Sequence, residues 1–574
     1  MNIILAAINA KYIHSNLAVY SLKAYSEKYV DDIIIAEYTI NQQIDEILMD
    51  LYKKQPDILC FSCYIWNLTY VETLIREVKK IFPQLPIWAG GPEVSYDAKE
   101  VLERMPELSG VVKGEGEQTF YEVLDYYEQN NPEEQLETIK GITYRKQDGT
   151  IVENEWRKIM DLSNVPFVYK NMEDFQNKII YYETSRGCPF SCSYCLSSVD
   201  KCLRFRDIEL VKKELQFFID QKVPQVKFVD RTFNCRHDHA MTIWKYLIDH
   251  DNGITNFHFE VSADLLNEEE LELISKMRPG LIQLEIGVQS TNPVTIKEIK
   301  RTMRFEKVAK IVKRINEGKN VHQHLDLIAG LPYEDYESFG RSFDDVYALR
   351  PEQLQLGFLK VLKGSYMEEH VKDYGLVYKS LPPYEVLYTK WLPYKDVLKL
   401  KRIEEMVEVY YNSGQFSYTL LQLEKAFKTP FALFETLGEY YEARGLHMVS
   451  HSRVARYEIL LDFAKQYDKD KEDLYRELLI FDLYLRENMK NRPDFAGEYC
   501  VDKEILHDFY EKESQLHQYL KGYDQYDKRQ LRKMTHIEKF SYDVTGDCTK
   551  KEVLILFDYQ NRNKLNKQAA MFCL

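Results

Sequence analysis

Short apolar runs alternate with amphipathic stretches in two separate blocks of this chain, and that alternation restricts it to parallel sheets covered by helices on both faces. In the first 130 residues, strands are predicted at Asn2–Ala7, Ile33–Tyr38, Ile58–Ser62, Pro86–Ala89 and Gly110–Lys113. Helices are predicted near Leu17–Lys28, Gln43–Tyr52, Val71–Ile81 and Ala98–Arg104, with another from Gln118. This is a doubly wound, Rossmann-like α/β pattern, in which ligands sit at the carboxyl ends of the strands. The loops to watch are 8–14, 62–67, 90–94 and 114–117. The second block starts at Ile179, with strands expected at Ile179–Glu183, Gln225–Asp230, Phe257–Ser262, Leu281–Gly287, His322–Ile328 and Leu354–Phe358. Six strand-helix units predict a (β/α)6 partial TIM barrel with its chemistry at the carboxyl-end face.

Between the blocks, Ile142–Arg145 turns through Asp148-Gly149 into Ile151-Val152 as a hairpin, followed by an irregular stretch read as linker. Beyond about Gly375 the pattern becomes mainly α-helical. Val397–Tyr411 has a stripe of Leu400, Ile403, Met406, Val407 and Tyr410, and Phe431–Tyr441 follows the start signal Thr429-Pro430. The tail turns strand-like at His536–Tyr542 and Val553–Tyr559. The expected division is 1–135, a linker with hairpin at 136–175, a barrel at 176–370 and a helical region at 371–574.

The 574 residues suffice for three domains of ordinary size. A formal charge of -15 argues against the broad basic face that nucleic acids and anionic membranes require. Without a basic tract, the 43 tyrosines read as core and surface aromatics rather than base-stacking platforms. The ten cysteines show no disulfide framework, the first residues lack a basic leader, and no segment reaches the roughly 18 apolar residues of a membrane span. The expectation is a cytoplasmic protein.

Chemistry concentrates at Cys188, Cys192 and Cys195, a C-x3-C-x2-C cluster directly after the first barrel strand. Thiolates are soft donors suited to zinc, copper(I) and iron-sulfur centres, and these spacings let one loop wrap one centre. A structural zinc site would need a fourth ligand, for which Cys202, Cys235 or His237 are candidates. Pro189, Ser191 and Ser193 make the segment a loop rather than core.

Together with Tyr194 before the last cysteine, this cluster resembles the hallmark of the radical S-adenosylmethionine (radical SAM) superfamily. Phe228–Asn234, Leu284–Ser290, Asp326–Pro332 and Leu359–Gly364 resemble the family's segments at strands two, four, five and six. The resemblance implies that Cys188, Cys192 and Cys195 hold a 4Fe-4S cluster whose open iron chelates S-adenosyl-L-methionine (SAM), which is cleaved to a deoxyadenosyl radical. It also implies that Tyr194, Glu285, Ser262, Asp264 and Gly330 lie around SAM. The glycine-glycine-glutamate pattern of many members is absent at strand two, where Thr232 and Asn234 are expected to bind instead. The plainer readings are a satisfied barrel carboxylate for Glu285, a helix cap for Asp264 and tight-turn glycines.

A doubly wound domain before such a barrel resembles the cobalamin-binding subclass. Ser62, Gly90, Gly91, Pro92, Gly114 and Glu115 match its ligand loops. The Asp-x-His-x-x-Gly motif that coordinates cobalt is missing, and His14 is an unfavoured substitute. Cys60 and Cys63 read as strand residues rather than a redox pair. The helical extension resembles an uncharacterised one in this subclass, with Phe434, Leu437, Tyr440 and Tyr441 as core and His536 and Asp558 in structural roles. The resemblance implies methyl transfer, or rearrangement or oxidative cyclisation, on a small molecule or modified biomolecule, with a reductant such as flavodoxin or ferredoxin. A cobalamin-independent enzyme and a non-enzymatic iron-sulfur carrier are the alternatives.

Overall fold

The computed structural model describes residues 1–129 and 132–574. Its first sheet contains β1 (Ile3–Asn9), β2 (Ile33–Thr39), β3 (Ile58–Ser62), β4 (Ile87–Gly90), β5 (Gly110–Val112), β6 (Ile142–Arg145) and β7 (Ile151–Glu153), in the order β2-β1-β3-β4-β5-β6-β7. The first five are parallel, and their near-continuous apolar runs are buried between helices on both faces. The hairpin read from sequence as part of a linker extends this sheet, because β6 pairs antiparallel with the edge strand β5. An open parallel edge offers unpaired N–H and C=O groups, and a hairpin of alternating polarity satisfies them.

The second sheet holds β8 (Ile180–Tyr182), β9 (Gln225–Phe228), β10 (Asn256–Val261), β11 (Ile282–Gln289), β12 (His322–Ala329) and β13 (Gln353–Phe358). All are parallel and pair in chain order, giving an open six-stranded partial barrel. Outward residues such as Phe259, Leu284, Ile286, Leu325 and Leu327 are buried against the helices. The inward residues are polar. Register sets Tyr181, Lys227, His258, Gln283 and His322 across one rung, and Glu260, Glu285, His324 and Gln353 across the next.

Residues beyond β13 form mainly helices and a three-stranded antiparallel sheet from Thr535 to Cys573. Thr429 caps the helix Pro430–Ala443 by accepting from the Ala432 N–H, with Pro430 at its first position. This region shares one core with the barrel: Phe431 seats over Gly340, where a Cβ would come within 2.9 Å of its ring, and Phe434 packs on Phe343 and Tyr347. His536 stacks on Tyr484 and contacts Glu538, while Asp558 accepts from Tyr523 and Asn561, so both are spent internally. Among the described residues, no helix is long and apolar enough to cross a membrane.

Candidate functional site

The three cysteines lie on one loop after β8, at the carboxyl-end face of the barrel. Its geometry is set at both ends. Asp230, wholly buried just beyond β9, accepts from the Thr184 N–H at 2.8 Å, the Ser185 hydroxyl at 2.7 Å and the Thr184 hydroxyl at 2.5 Å. Burial outweighs these donors and pushes its carboxyl up to about 6. Gly187 has φ +85°, and a Cβ there would come within 2.5 Å of the Cys202 carbonyl, so only glycine permits the turn into Cys188. Downstream, the Ser193 N–H donates to the Ile299 carbonyl and its carbonyl accepts from the Met367 N–H.

Cys188 and Cys192 are buried and Cys195 is half-buried. Burial pushes the Cys192 thiol up, and the Arg301 guanidinium opposes that rise. Arg301 donates to Cys192 Sγ at 3.8 Å, to the Tyr194 hydroxyl at 3.1 Å and to the Gly287 carbonyl. The Thr232 hydroxyl lies 3.8 Å from Cys188 Sγ. Cys202 is exposed.

Beside the loop opens a cavity of about 140 Å³, lined by Cys192, Thr232, Ser262, Glu285, Gln289 and Arg301 together with Arg231, Glu260, Asp326 and others. Glu285 faces Lys227 Nζ at 2.9 Å and His258 Nε2 at 3.0 Å. Burial alone would raise its carboxyl, but His258 and Lys227 prevail and hold it down to about 2. Burial, and then the neighbouring Glu285 charge, push Glu260 up to about 7. A bulge between Gly287 and Gln289, with Gln289 at φ +72°, folds the Gln289 amide over Gly287, where a Cβ would come within 2.3 Å of it.

The expected SAM residues divide. Thr232, Ser262 and Glu285 reach the cavity wall. Asn234 instead clamps both backbone groups of Ser262, and Asp264 accepts from the Ser262 hydroxyl at 2.8 Å, so both position Ser262. Gly330, at φ +89°, is absent from the cavity lining and faces Val386, whose Cγ1 would come within 2.8 Å of a Cβ. Arg231, Gln289 and Asp326 lie inside segments whose resemblance to the family was read from the sequence, but they were not singled out there, and Glu260 and Arg301 escaped sequence reasoning.

The carboxyl ends of β1, β3, β4 and β5 face this loop. Glu115 accepts from Arg204, lies 3.5 Å from Arg186 and takes the Met160 N–H. Arg186 also bonds Glu117 at 2.6 Å and Glu183 at 2.9 Å. Glu115, expected to touch a ligand, therefore ties the first sheet to the cysteine loop. His14 also reaches the barrel: its Nδ1 hydrogen-bonds the Tyr181 hydroxyl at 2.6 Å, beside the barrel's first polar rung. Ser62 accepts from Asn16, and Gly114 donates from its backbone to Ser95. Gly91 has φ +115°, and a Cβ would lie 2.4 Å from the Cys63 carbonyl; Pro92 then opens a short helix. Next to them Trp66, still exposed, stacks on Tyr64 at 4.5 Å and 6°. Cys60 and Cys63 sit in cores on opposite faces of the sheet, and burial pushes both thiols up to about 12, so they form no redox pair.

The donor set fits an iron-sulfur cluster with SAM. One loop presents three thiols, and buried Gln289 Oε1, Ser193 Oγ and Arg301 Nε have no hydrogen-bond partner among the described residues. The Gly90-Gly91 cradle and the flat Tyr64–Trp66 surface fit a large planar ligand.

Comparison with known proteins agrees. Residues 3–124 match the B12 binding domain, 182–346 the radical SAM superfamily, and 372–557 a protein family of unknown function, DUF4080. The chain is 25% identical to the cobalamin-dependent radical SAM methyltransferase TokK of Streptomyces tokunonensis over 56% of its own length and 50% of that protein. It is 27% identical to the 2-(S-pantetheinyl)-carbapenam-3-carboxylate methyltransferase of Streptantibioticus cattleyicolor, over 55% and 49%. The chain thus spans about half the length of these relatives. In fold it is similar to the methyltransferase TsrM of Kitasatospora setae, with TM-score 0.54, 16% identity and 67% and 80% of the two chains covered. It is also similar to the cobalamin-dependent SAM radical enzyme OxsB, with TM-score 0.52, 17% identity and 89% and 75% covered.

Proposed function

Because the chain belongs to the radical SAM proteins that carry a B12 binding domain, we propose that it is a cobalamin-dependent radical SAM methyltransferase acting on a polar small molecule held in the barrel cavity. The observation that carries this reading is the Glu115–Arg204–Arg186 bridge. It ties the loop after β5 to the two ends of the cysteine loop, which supports a reading in which two cofactors would share one cavity mouth.

When bound, the cluster and SAM supply a hydrogen-abstracting deoxyadenosyl radical and cobalamin supplies a transferable methyl group. Cys188, Cys192 and Cys195 would hold the cluster. Arg301 offsets negative charge beside Cys192, and Thr232, Ser262 and Gln289 offer polar contacts to SAM from three sides. Gly90, Gly91 and Pro92 with Trp66 would receive the corrin. The segment after β13 is held to the first domain by Lys363 and Asp97 at 2.7 Å, and with the barrel walls it would limit water at the reacting centre.

The test is anaerobic reconstitution with iron, sulfide and cobalamin, followed by SAM and a flavodoxin-type or chemical reductant. Deoxyadenosine and S-adenosylhomocysteine are both expected, and the Cys188→Ala, Cys192→Ala, Cys195→Ala variant should yield neither. Deoxyadenosine without S-adenosylhomocysteine, in the presence of turned-over substrate, would replace methyl transfer by rearrangement or cyclisation.

A further inference from the structure

Barrels of this kind usually fill their lumen with branched apolar side chains. Here the second rung brings Glu285 directly beside His324, and Asp326 follows His324 on the same face of β12, beside Gly287. One donor atom from each of Glu285, His324 and Asp326 falls within 4.8 Å of the others. His324 is only 7% exposed, and its Nε2 lies 3.0 Å from Asp326 Oδ1, yet neither atom completes a hydrogen bond among the described residues. A buried nitrogen and oxygen at that separation, outside hydrogen-bond geometry, are close enough to donate to one ion. Ligands about 2.1 Å from an ion and at right angles stand about 3 Å apart, which is this spacing. Lys227 and His258 both approach Oε2 of Glu285, fixing the carboxylate and leaving Oε1 for an ion.

The geometry points to a mononuclear divalent-cation site formed by Glu285, His324 and Asp326, of which Glu285 and Asp326 line the cavity. One imidazole and two carboxylates suit Mn²⁺, Fe²⁺ or Zn²⁺. The three protein ligands come from adjacent strands on one side, so the remaining positions face the cavity. A substrate with an oxygen or nitrogen chelating group would complete them, which assigns the site a part in substrate recognition independent of the methyl-transfer reading.

The test uses the full chain carrying Cys188→Ala, Cys192→Ala and Cys195→Ala, which removes the competing iron site, and Mn²⁺, a hard ion that ignores the remaining thiols. The six-line electron paramagnetic resonance signal of free Mn²⁺ should fall with a stoichiometry of one ion per chain. Adding His324→Ala or Asp326→Asn should weaken binding at least tenfold, while His447→Ala on the surface should not. Absence of stoichiometric binding, or equal affinity in both lumen variants with circular dichroism unchanged, would overturn the site. Since no cluster, SAM or cobalamin enters the experiment, its failure leaves the proposed activity standing, and the reverse also holds.

Discussion

Arg206 offers the sharpest test of how the segment after the first sheet is held to the barrel. Its guanidinium is buried and reaches Glu214 through Nε at 2.9 Å and through a second nitrogen at 2.5 Å. Its remaining nitrogen donates to the Leu162 carbonyl at 2.8 Å and the Val165 carbonyl at 2.7 Å. Glu214, also buried, accepts in addition from the Tyr182 hydroxyl of β8 at 2.6 Å. Arg206→Met leaves a buried carboxylate with one neutral donor, a loss of about 3–5 kcal/mol, and strands two carbonyls at about 1 kcal/mol each. A total of about 5–7 kcal/mol follows, of the same order as the whole stability of a typical domain. The double change Arg206→Met, Glu214→Met removes the lone charge and leaves only the carbonyls and one hydroxyl, so it should cost about 3 kcal/mol. The double variant must therefore be more stable than either single one, with a coupling energy of at least about 3 kcal/mol. Because a chain of several domains does not unfold in one step, the assay is urea unfolding read by mass-resolved amide exchange over residues 208–261. If Arg206→Met costs less than about 1 kcal/mol, or the double variant costs the sum of the singles, the buried-pair argument fails.

Two further outcomes follow from buried groups. Asp482, wholly buried, accepts from the Tyr418 and Thr419 N–H groups and the Thr419 hydroxyl, yet burial pushes its carboxyl up to about 7. The folded chain thus holds this proton more tightly than the unfolded one between pH about 4 and about 7, and stability falls as pH rises through that window, by at most about 4 kcal/mol. The gap in melting temperature between the native chain and Asp482→Asn should shift in favour of the variant from pH 5 to pH 7.5, and a pH-independent gap would contradict the burial argument. In the first domain, Gly91→Val meets the Cys63 carbonyl and should abolish cobalamin retention through gel filtration, whereas His14→Ala should leave the retained corrin spectrum unchanged. A spectral change in His14→Ala would restore the histidine as a cobalt ligand.

Strand positions were legible because they depend on local apolar patterning. Ile58–Ser62 and Ala98–Arg104 coincide with the sequence expectation, and every barrel strand lies within two residues of its predicted start. The cysteine loop was legible for the same reason, since its spacing is contained within eight residues. Arg301 was not: it lies 109 positions from Cys192 and reaches it only because the bulge at Gly287 and Gln289 clears its path. Gly330 illustrates the converse. Its positive φ could be anticipated from the residue type, but the neighbour that fills the space, Val386, is supplied by the segment beyond the barrel. The hairpin at Ile142–Glu153 was legible as a hairpin, whereas its partner β5 was not, because strand pairing across separate segments leaves no local trace.

The distribution of charge at the carboxyl end of the first sheet explains why ligand loops and docking loops had looked alike. Loop residues after β1 and β5 carry titratable groups, and these are used against the barrel: His14 on Tyr181, Ser15 on the Ile179 carbonyl, Glu115 and Glu117 on Arg204 and Arg186. Glu37 of β2 reaches Lys178 in the same way. Loops after β3 and β4, with Tyr64, Trp66, Gly90, Gly91 and Pro92, contribute mainly aromatic and backbone surface, and the segment after β4 is bridged to the chain beyond the barrel by Asp97 and Lys363. A flat, weakly charged ligand gains more from the second kind of surface, since charged groups there would have to be desolvated beneath it. Docking by buried ion pairs also fixes register between domains, because a displaced Arg186 would leave Glu117 and Glu183 unpaired and Glu115 with Arg204 alone.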